Sequence, residues 1–243
     1  MCVLFTFSHF CVRICASMET TGILYIVATP IGNLSDISAR ALEIFGSVDL
    51  ILCEDTRVTA NLLTRYNLKK ETKSYHHHST DAVIGEIIEF LSSGKNLAYV
   101  SDAGTPGISD PGNILISKVR EALPACQIIP IPGASAVISA LSISGFPTDK
   151  FLFLGFPPHK KGRKSFFEEV AHAEYTVVFY ESNHRIKKCI SELGEILEPH
   201  RQIVICRELT KKFETTYAGT IEQVKAMNIS EKGEFVVVVR GKR

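Results

Sequence analysis

From Gly22 onward, short runs of β-branched and apolar residues alternate with stretches of helical period, and this alternation constrains the fold more than any other feature of the chain. It implies a parallel sheet with helices on its faces. ILYIVA (23–28), DLILC (49–53), NLAYVS (96–101) and QIIPI (127–131) predict buried strands. Ser35 or Asp36 can cap a helix whose face is Leu34, Ile37, Ala41, Phe45 and Val48. Thr80 can cap another, with Val83, Ile84, Ile87, Ile88 and Leu91 as its apolar face and Gly94 as its stop. A connection with one small-residue helix follows, PGASAVISALSISGFPTDK, containing Gly145 and Pro147. Strands then resume at FLFLGF (151–156), TVVFYE (176–181), QIVICR (202–207), FETTYAG (213–219) and EFVVVVRG (234–241), with helices near 164–172, 183–197 and 221–227. FETTYAG alternates instead of running solidly apolar, so the second sheet is expected to be mixed, with this strand exposed or at an edge. The division expected is an extension over 1–17, an α/β domain over 18–133 and a second over 134–243.

With 243 residues, 45% apolar and 22% charged, the composition is that of a soluble globular protein, and no apolar run reaches the 18 residues of a membrane span. The 27 Lys+Arg balance 26 Asp+Glu, leaving +1. Any contact with nucleic acid must therefore come from a local patch. Seven cysteines without a C-x-x-C pair argue against a disulfide framework or a cysteine zinc site and suit a reducing cytoplasm. MCVLFTFSHFCVRICAS at the start lacks the early positive charge and uninterrupted apolar stretch of a signal peptide, and reads as a dispensable extension ahead of Met18.

Ligands of open parallel sheets bind beyond the carboxyl ends of the strands. Three loops there stand out: Thr29-Pro30-Ile31-Gly32-Asn33, Glu54-Asp55-Thr56-Arg57, and the twelve residues from Ser101 to Gly112, dense in Gly, Pro and Asp. The second can be a binding loop or a helix cap with a surface ion pair. The third matches neither G-x-G-x-x-G nor G-x-x-x-x-G-K-[ST], and its prolines remove donors that a phosphate cradle needs; a rigid wall for a flat ligand suits it better. Pro132-Gly133-Ala134-Ser135-Ala136 is a further small-residue turn. His76 and His78 would face one way if that segment is a strand, where they read as a polar surface or a substrate contact sooner than as metal ligands; no metal site is expected. PPHKKGRK (157–164) gathers Lys160, Lys161, Arg163 and Lys164 on a loop compatible with phosphate contacts. No G-x-S-x-G elbow or activated cysteine supports covalent catalysis.

Six motifs in order, LYIVATPIGNLSDIS, CEDTR, VSDAGTPGISDPG, PGASA, FYESNHR and RELTK, resemble the ribosomal RNA small subunit methyltransferase I family within the tetrapyrrole methylase superfamily, from about Ile23 to Gly241. The resemblance implies two α/β domains, the first with a parallel and the second with a mixed sheet, a crevice between them for S-adenosylmethionine, a homodimer, and methylation of a cytidine ribose 2′-hydroxyl in 16S ribosomal RNA or the small subunit. It implies cofactor contacts from Pro30, Ile31, Gly32, Asp102, Ala103, Gly104, Thr105, Ser135 and Ala136, with Tyr180, Cys206 and Gly233 from the second domain. SYHHHST departs from similar sequences in carrying His77 where an acidic residue is common.

A sulfonium brings its own leaving group, so methyl transfer needs positioning and no covalent intermediate. A ribose hydroxyl is a weak acid, so a base or cation should assist; Glu54, Asp55 and Arg57 are first candidates, Glu208 and Lys211 second. His76, His78, Arg185 and the basic loop are candidates for RNA contact. Two alternatives compete: a tetrapyrrole C-methyltransferase with the same cofactor site, and a non-enzymatic RNA-binding assembly factor on the same fold.

Overall fold

The computed structural model describes residues 21–76 and 79–242. The extension over 1–17, His77 and His78 lie outside them. The first sheet consists of β1 (Leu24–Val27), β2 (Leu50–Cys53), β3 (Thr72–Ser74), β4 (Leu97–Val100) and β5 (Ile128–Ile131), in the order β3-β2-β4-β1-β5. Every pairing in it is parallel. Its central strands are solid apolar runs because helices cover both faces. Leu24, Ile26, Leu52, Leu97 and Tyr99 pack on one side, and Val27, Ile51, Cys53, Ala98 and Val100 on the other, as the two-residue strand period requires.

The helices of this half are α1 (Ala39–Ser47), α2 (Thr56–Arg65), α3 (Asp81–Ser92) and α4 (Gly112–Ala122). The cap expected at Ser35 or Asp36 lies instead at Ser38, whose Oγ accepts the Ala41 N–H at 3.1 Å. Leu34–Asp36 forms a separate 3₁₀ turn, capped by Asn33, so the apolar period read as one helix spans a turn and a helix. Thr80 does sit at the N-cap of α3 but makes no side-chain cap bond. The short polar strand β3 has no apolar run to signal it. It ends at Ser74, so His76 lies beyond any strand, its backbone N–H bonded to Ser79 Oγ; the expectation that His78 shares a strand face with it falls outside the described residues.

The second sheet joins β6 (Phe151–Phe153), β7 (Thr176–Glu181), β8 (Gln202–Arg207), β9 (Thr215–Thr220) and β10 (Phe235–Val239) in the order β6-β7-β10-β8-β9. Only β6–β7 is parallel, and the alternating β9 is an edge. This sheet is mixed. One face carries α6 (Arg163–His172), α7 (Ile186–Ile196) and α8 (Ile221–Ala226) over a core that includes Phe167, Phe179, Ile205, Leu193 and Val237. The other face carries α5 (Ala136–Ser144): Val137, Ala140 and Leu141 pack on Val178, Val204 and Val238, and Ile31 from the first half joins the same cluster. That packing fixes the two sheets against one another. Among the described residues, no helix is long and apolar enough to cross a membrane.

Candidate functional site: the crevice between the two sheets

Three loops from carboxyl strand ends are tied together by backbone and threonine hydroxyl hydrogen bonds. Thr29 and Gly104 exchange N–H···O bonds of 2.9 and 3.1 Å, Thr29 Oγ1 donates to Ser101 O at 3.1 Å, and Thr105 Oγ1 donates to Ala134 O at 3.3 Å. Gly104 holds φ +85°, which explains a glycine there. A second tie runs between β2 and β4. Asp102 Oδ1 accepts the Asp55 N–H at 3.0 Å while Glu54 Oε1 accepts the Asp102 N–H at 3.3 Å. Each carboxylate thus fixes the loop that carries the other.

These loops form one wall of a crevice of about 770 Å³, a size that suits a small organic ligand. Ile31, Asp102, Ala103, Gly104, Thr105, Ser135 and Ala136 line it from the first wall, and Tyr180, Cys206 and Gly233 from the second. Pro30 and Gly32, expected beside them, do not. Pro30 is buried behind the turn. Gly32 turns toward the second sheet, where a Cβ would collide with Lys211 Cγ. Ser135 also caps α5 through the Ile138 N–H.

The proposed acid–base groups divide the same way. Glu54, Glu208 and Lys211 line the crevice; Asp55 and Arg57 do not. Asp55 caps α2 by accepting the Arg57 N–H at 2.8 Å and pairs with the Arg57 guanidinium at 2.6 Å. The Arg57 hydrogen bonds hold the Asp55 carboxyl at about 2. Of the two readings of EDTR, the cap with a surface ion pair is the one that Asp55 and Arg57 adopt, outside the crevice lining.

Lys211 Nζ donates to Glu234 Oε2 at 2.6 Å and to Glu208 Oε1 at 3.2 Å. Partial burial disfavours its charge, but the two carboxylates outweigh that and raise its pKa. Glu208 shows the mirror image: burial raises its pKa, and the Glu234 N–H with Lys211 more than compensate, lowering it. Both are charged at neutral pH. Glu208 (φ +53°) and Thr210 (φ +67°) occupy the left-handed region, a local strain that concentrates at functional sites. Thr210 Oγ1 accepts the Asn33 N–H at 3.1 Å, tying this loop to the first half of the chain.

Burial pushes the Cys206 thiol up to about 11 and raises the Tyr180 phenol, so neither is an anion near neutrality. Tyr180 meets Phe153 edge-on at 5.2 Å and Phe156 at 5.1 Å between ring centroids. Phe156 and Glu234, not foreseen from the sequence, also line the crevice. Phe156 closes the FLFLGF run and Glu234 opens EFVVVV, positions where apolar patterning says nothing about a ligand.

Among the expected RNA contacts, Lys160, Lys161 and Lys164 are exposed. Arg163 is not: it is 4% exposed, at the start of α6, and pairs with Glu181 at 3.0 Å and Glu192 at 2.9 Å. It leaves the basic patch because two carboxylates satisfy it inside. Arg185 is half-buried, on Glu181 at 2.9 Å and the Pro157 carbonyl at 2.9 Å. His76 is exposed at the end of the first sheet.

The architecture defines a class, and residues 23–225 match the family model of tetrapyrrole (corrin/porphyrin) methylases. Solved structures with this fold include the methyltransferase CobJ (TM-score 0.66, 18% identity, 91% of this chain and 95% of that one) and uroporphyrin-III-C-methyltransferase from Thermus thermophilus (TM-score 0.62, 16% identity, 90% and 94%). Much nearer in sequence are proteins named ribosomal RNA small subunit methyltransferase I: one from Haemophilus influenzae is 46% identical over 92% of this chain and 80% of its own length, and one from Xylella fastidiosa is 44% identical over 92% and 83%. Within the tetrapyrrole methylase class, the chain belongs to that ribosomal RNA small subunit methyltransferase I family.

Proposed function

We propose that this chain transfers a methyl group from S-adenosylmethionine to the ribose 2′-hydroxyl of a cytidine in 16S ribosomal RNA, acting in the cytoplasm as a homodimer. The observation that carries the reading is the crevice itself, where a wall of small residues and backbone meets an aromatic pair and a charged Lys211 cluster. Its chemistry suits the cofactor: Tyr180 and Phe156 offer faces to a flat base, and Glu54 and Asp102 offer acceptors to hydroxyl or ammonium groups. Ile31, Asp102 to Thr105, Ser135, Ala136, Tyr180, Cys206 and Gly233 would hold it. When bound, it supplies an electrophilic methyl with a neutral leaving group. The chain's part is to orient the acceptor oxygen, exclude water and stabilise charge developing on that oxygen.

A tetrapyrrole substrate is the weaker reading, because the solved chains named for it share 16% identity and hence the fold alone, while the 41–46% relatives carry the ribosomal name. Incubation with labelled S-adenosylmethionine and either small subunits or uroporphyrinogen, followed by mapping of the label, tests the choice. Label on the porphyrinogen alone would overturn the ribosomal reading, and no cofactor affinity by calorimetry would favour an assembly factor.

Asp102→Ala should weaken cofactor binding and leave the chain folded, since the bond it gives up, to the Asp55 N–H, is exposed and such a bond contributes about 1 kcal/mol. Calorimetry beside a denaturant titration separates the two effects; unaltered affinity with a large stability loss would make Asp102 a loop fastener only. The exposed lysines bear on RNA. Lys160→Ala/Lys161→Ala/Lys164→Ala should weaken RNA binding and reduce the slope of log affinity against log salt by about 0.7–0.9 for each phosphate no longer neutralised, with cofactor affinity retained. An unchanged slope would take these three lysines off the RNA surface.

A further inference from the structure

Residues 155–162 link β6 to α6 and carry both Phe156 at the crevice and the exposed Lys160 and Lys161. The segment begins at Gly155 (φ +65°) and ends at Gly162 (φ +86°). Such positive-φ glycines let the chain turn sharply at both ends but do not hold the loop in place. Backbone bonds fasten its two ends, Tyr180 N–H to Gly155 O at 2.8 Å and Arg163 N–H to Lys160 O at 3.2 Å, and an ionic cluster fastens its middle. Arg185 Nη1 donates to the Pro157 carbonyl at 2.9 Å and Arg163 Nη1 to the Pro158 carbonyl at 3.4 Å. The same guanidiniums grip the two oxygens of one carboxylate: Arg163 Nη2 lies 3.0 Å from Glu181 Oε2 and Arg185 Nε 2.9 Å from Oε1. Glu181 is 1% exposed, ends β7, and belongs to the crevice wall.

We propose that Glu181, Arg163 and Arg185 are positioning residues that set the basic loop against the crevice, so that Lys160 and Lys161 meet the RNA where the acceptor ribose enters. Burial of three charges is expensive, and they persist only with full pairing; here the pairing passes from the crevice wall through two arginines to two adjacent loop carbonyls. A planar fork is needed because Arg163 serves Glu181, Glu192 and Pro158 O together, in directions an ammonium cannot match. Glu192, on α7, joins the cluster through Arg163 and does not line the crevice.

The inference rests on the RNA-methylating reading, so the experiment separates the two. Arg163→Lys keeps the charge and loses the fork; Glu192→Gln disturbs the same cluster and leaves the Glu181 and loop bonds in place. In Arg163→Lys, trypsin under native conditions should cut after Lys160 and Lys161 faster than in the wild type, and KM for small subunits should rise with cofactor affinity retained. Its salt slope should fall by about 0.7–0.9 for each phosphate that the displaced lysines no longer neutralise. Glu192→Gln should match the wild type in all three, even at an equal loss of thermal stability. If both variants lose RNA affinity in proportion to their loss of stability, or Arg163→Lys leaves cleavage and KM unchanged, the positioning role is wrong. Faster cleavage in Arg163→Lys with no RNA binding by the wild type would sink the functional reading and the RNA half of the inference, and leave the loop anchor standing.

Discussion

Replacing Arg163 by Met is expected to lower the stability of the protein by about 3 kcal/mol, at the lower end of what removal of one partner from a buried ion pair costs. Arg163 sits 4% exposed over the Phe167 ring, 4.9 Å from its centroid, between Glu181 and Glu192. Methionine keeps much of the packing but leaves a fully buried carboxylate with Arg185 as its only charged partner among the described residues. Glu192 still has Lys188 nearby at 3.8 Å and reaches solvent, so most of the loss comes from Glu181. At this chain length the change corresponds to a fall in Tm of roughly 6–12 °C. Arg163→Met/Glu181→Gln should recover part of it, because the uncompensated charge is gone. Denaturant titration at fixed pH measures both; a single variant as stable as the wild type would show that the cluster costs as much to desolvate as it returns.

Arg163 also marks where sequence reasoning stops. Its neighbours in sequence are Lys160, Lys161 and Lys164, and a run of cations after Pro and Gly reads as an exposed loop open to phosphate contacts. Its burial is decided by Glu181 and Glu192, 18 and 29 residues further on. The reciprocal bonds of Glu54 and Asp102 likewise span 47 and 48 residues and leave no local trace. Most strands are legible because a sheet covered on both faces needs continuous apolar runs, as in LYIV, LILC and LAYV. The polar edge strand TKS needs none and gives no such signal. Crevice residues that lie in Gly/Pro-rich turns after strands are visible for the same local reason, whereas Phe156 and Glu234 enter it only through the packing of the second sheet. EDTR is ambiguous in sequence because a helix cap and a binding-loop carboxylate use the same residue types; the bonds of Asp55 to Arg57 form the cap and the surface ion pair.

Lys211→Met should reduce the rate of methyl transfer by about 10²–10³-fold, the effect of removing one preorganised charge from a site where an oxyanion develops. The carboxylates of Glu234 and Glu208 raise the Lys211 pKa above the ordinary lysine value of 10.5 despite partial burial, so at neutral pH the ammonium has no lone pair with which to accept a proton. It can act only as a cation, and under the proposed function its place in the crevice lining would put that charge near the acceptor oxygen. Glu208, lowered in pKa, is a weak base for the same reason. Because the lysine pKa is raised in the folded protein, its contribution is fully present below 10.5 and is lost only as pH rises through the higher folded value. The wild-type kcat should therefore show no descending limb from this residue between neutrality and that point. Lys211→Arg, which keeps the charge, should retain more activity than Lys211→Met, and calorimetry should find the cofactor bound by both. A Met variant with wild-type kcat on small subunits would remove Lys211 from the chemistry and leave Glu54, another carboxylate of the crevice, to test next.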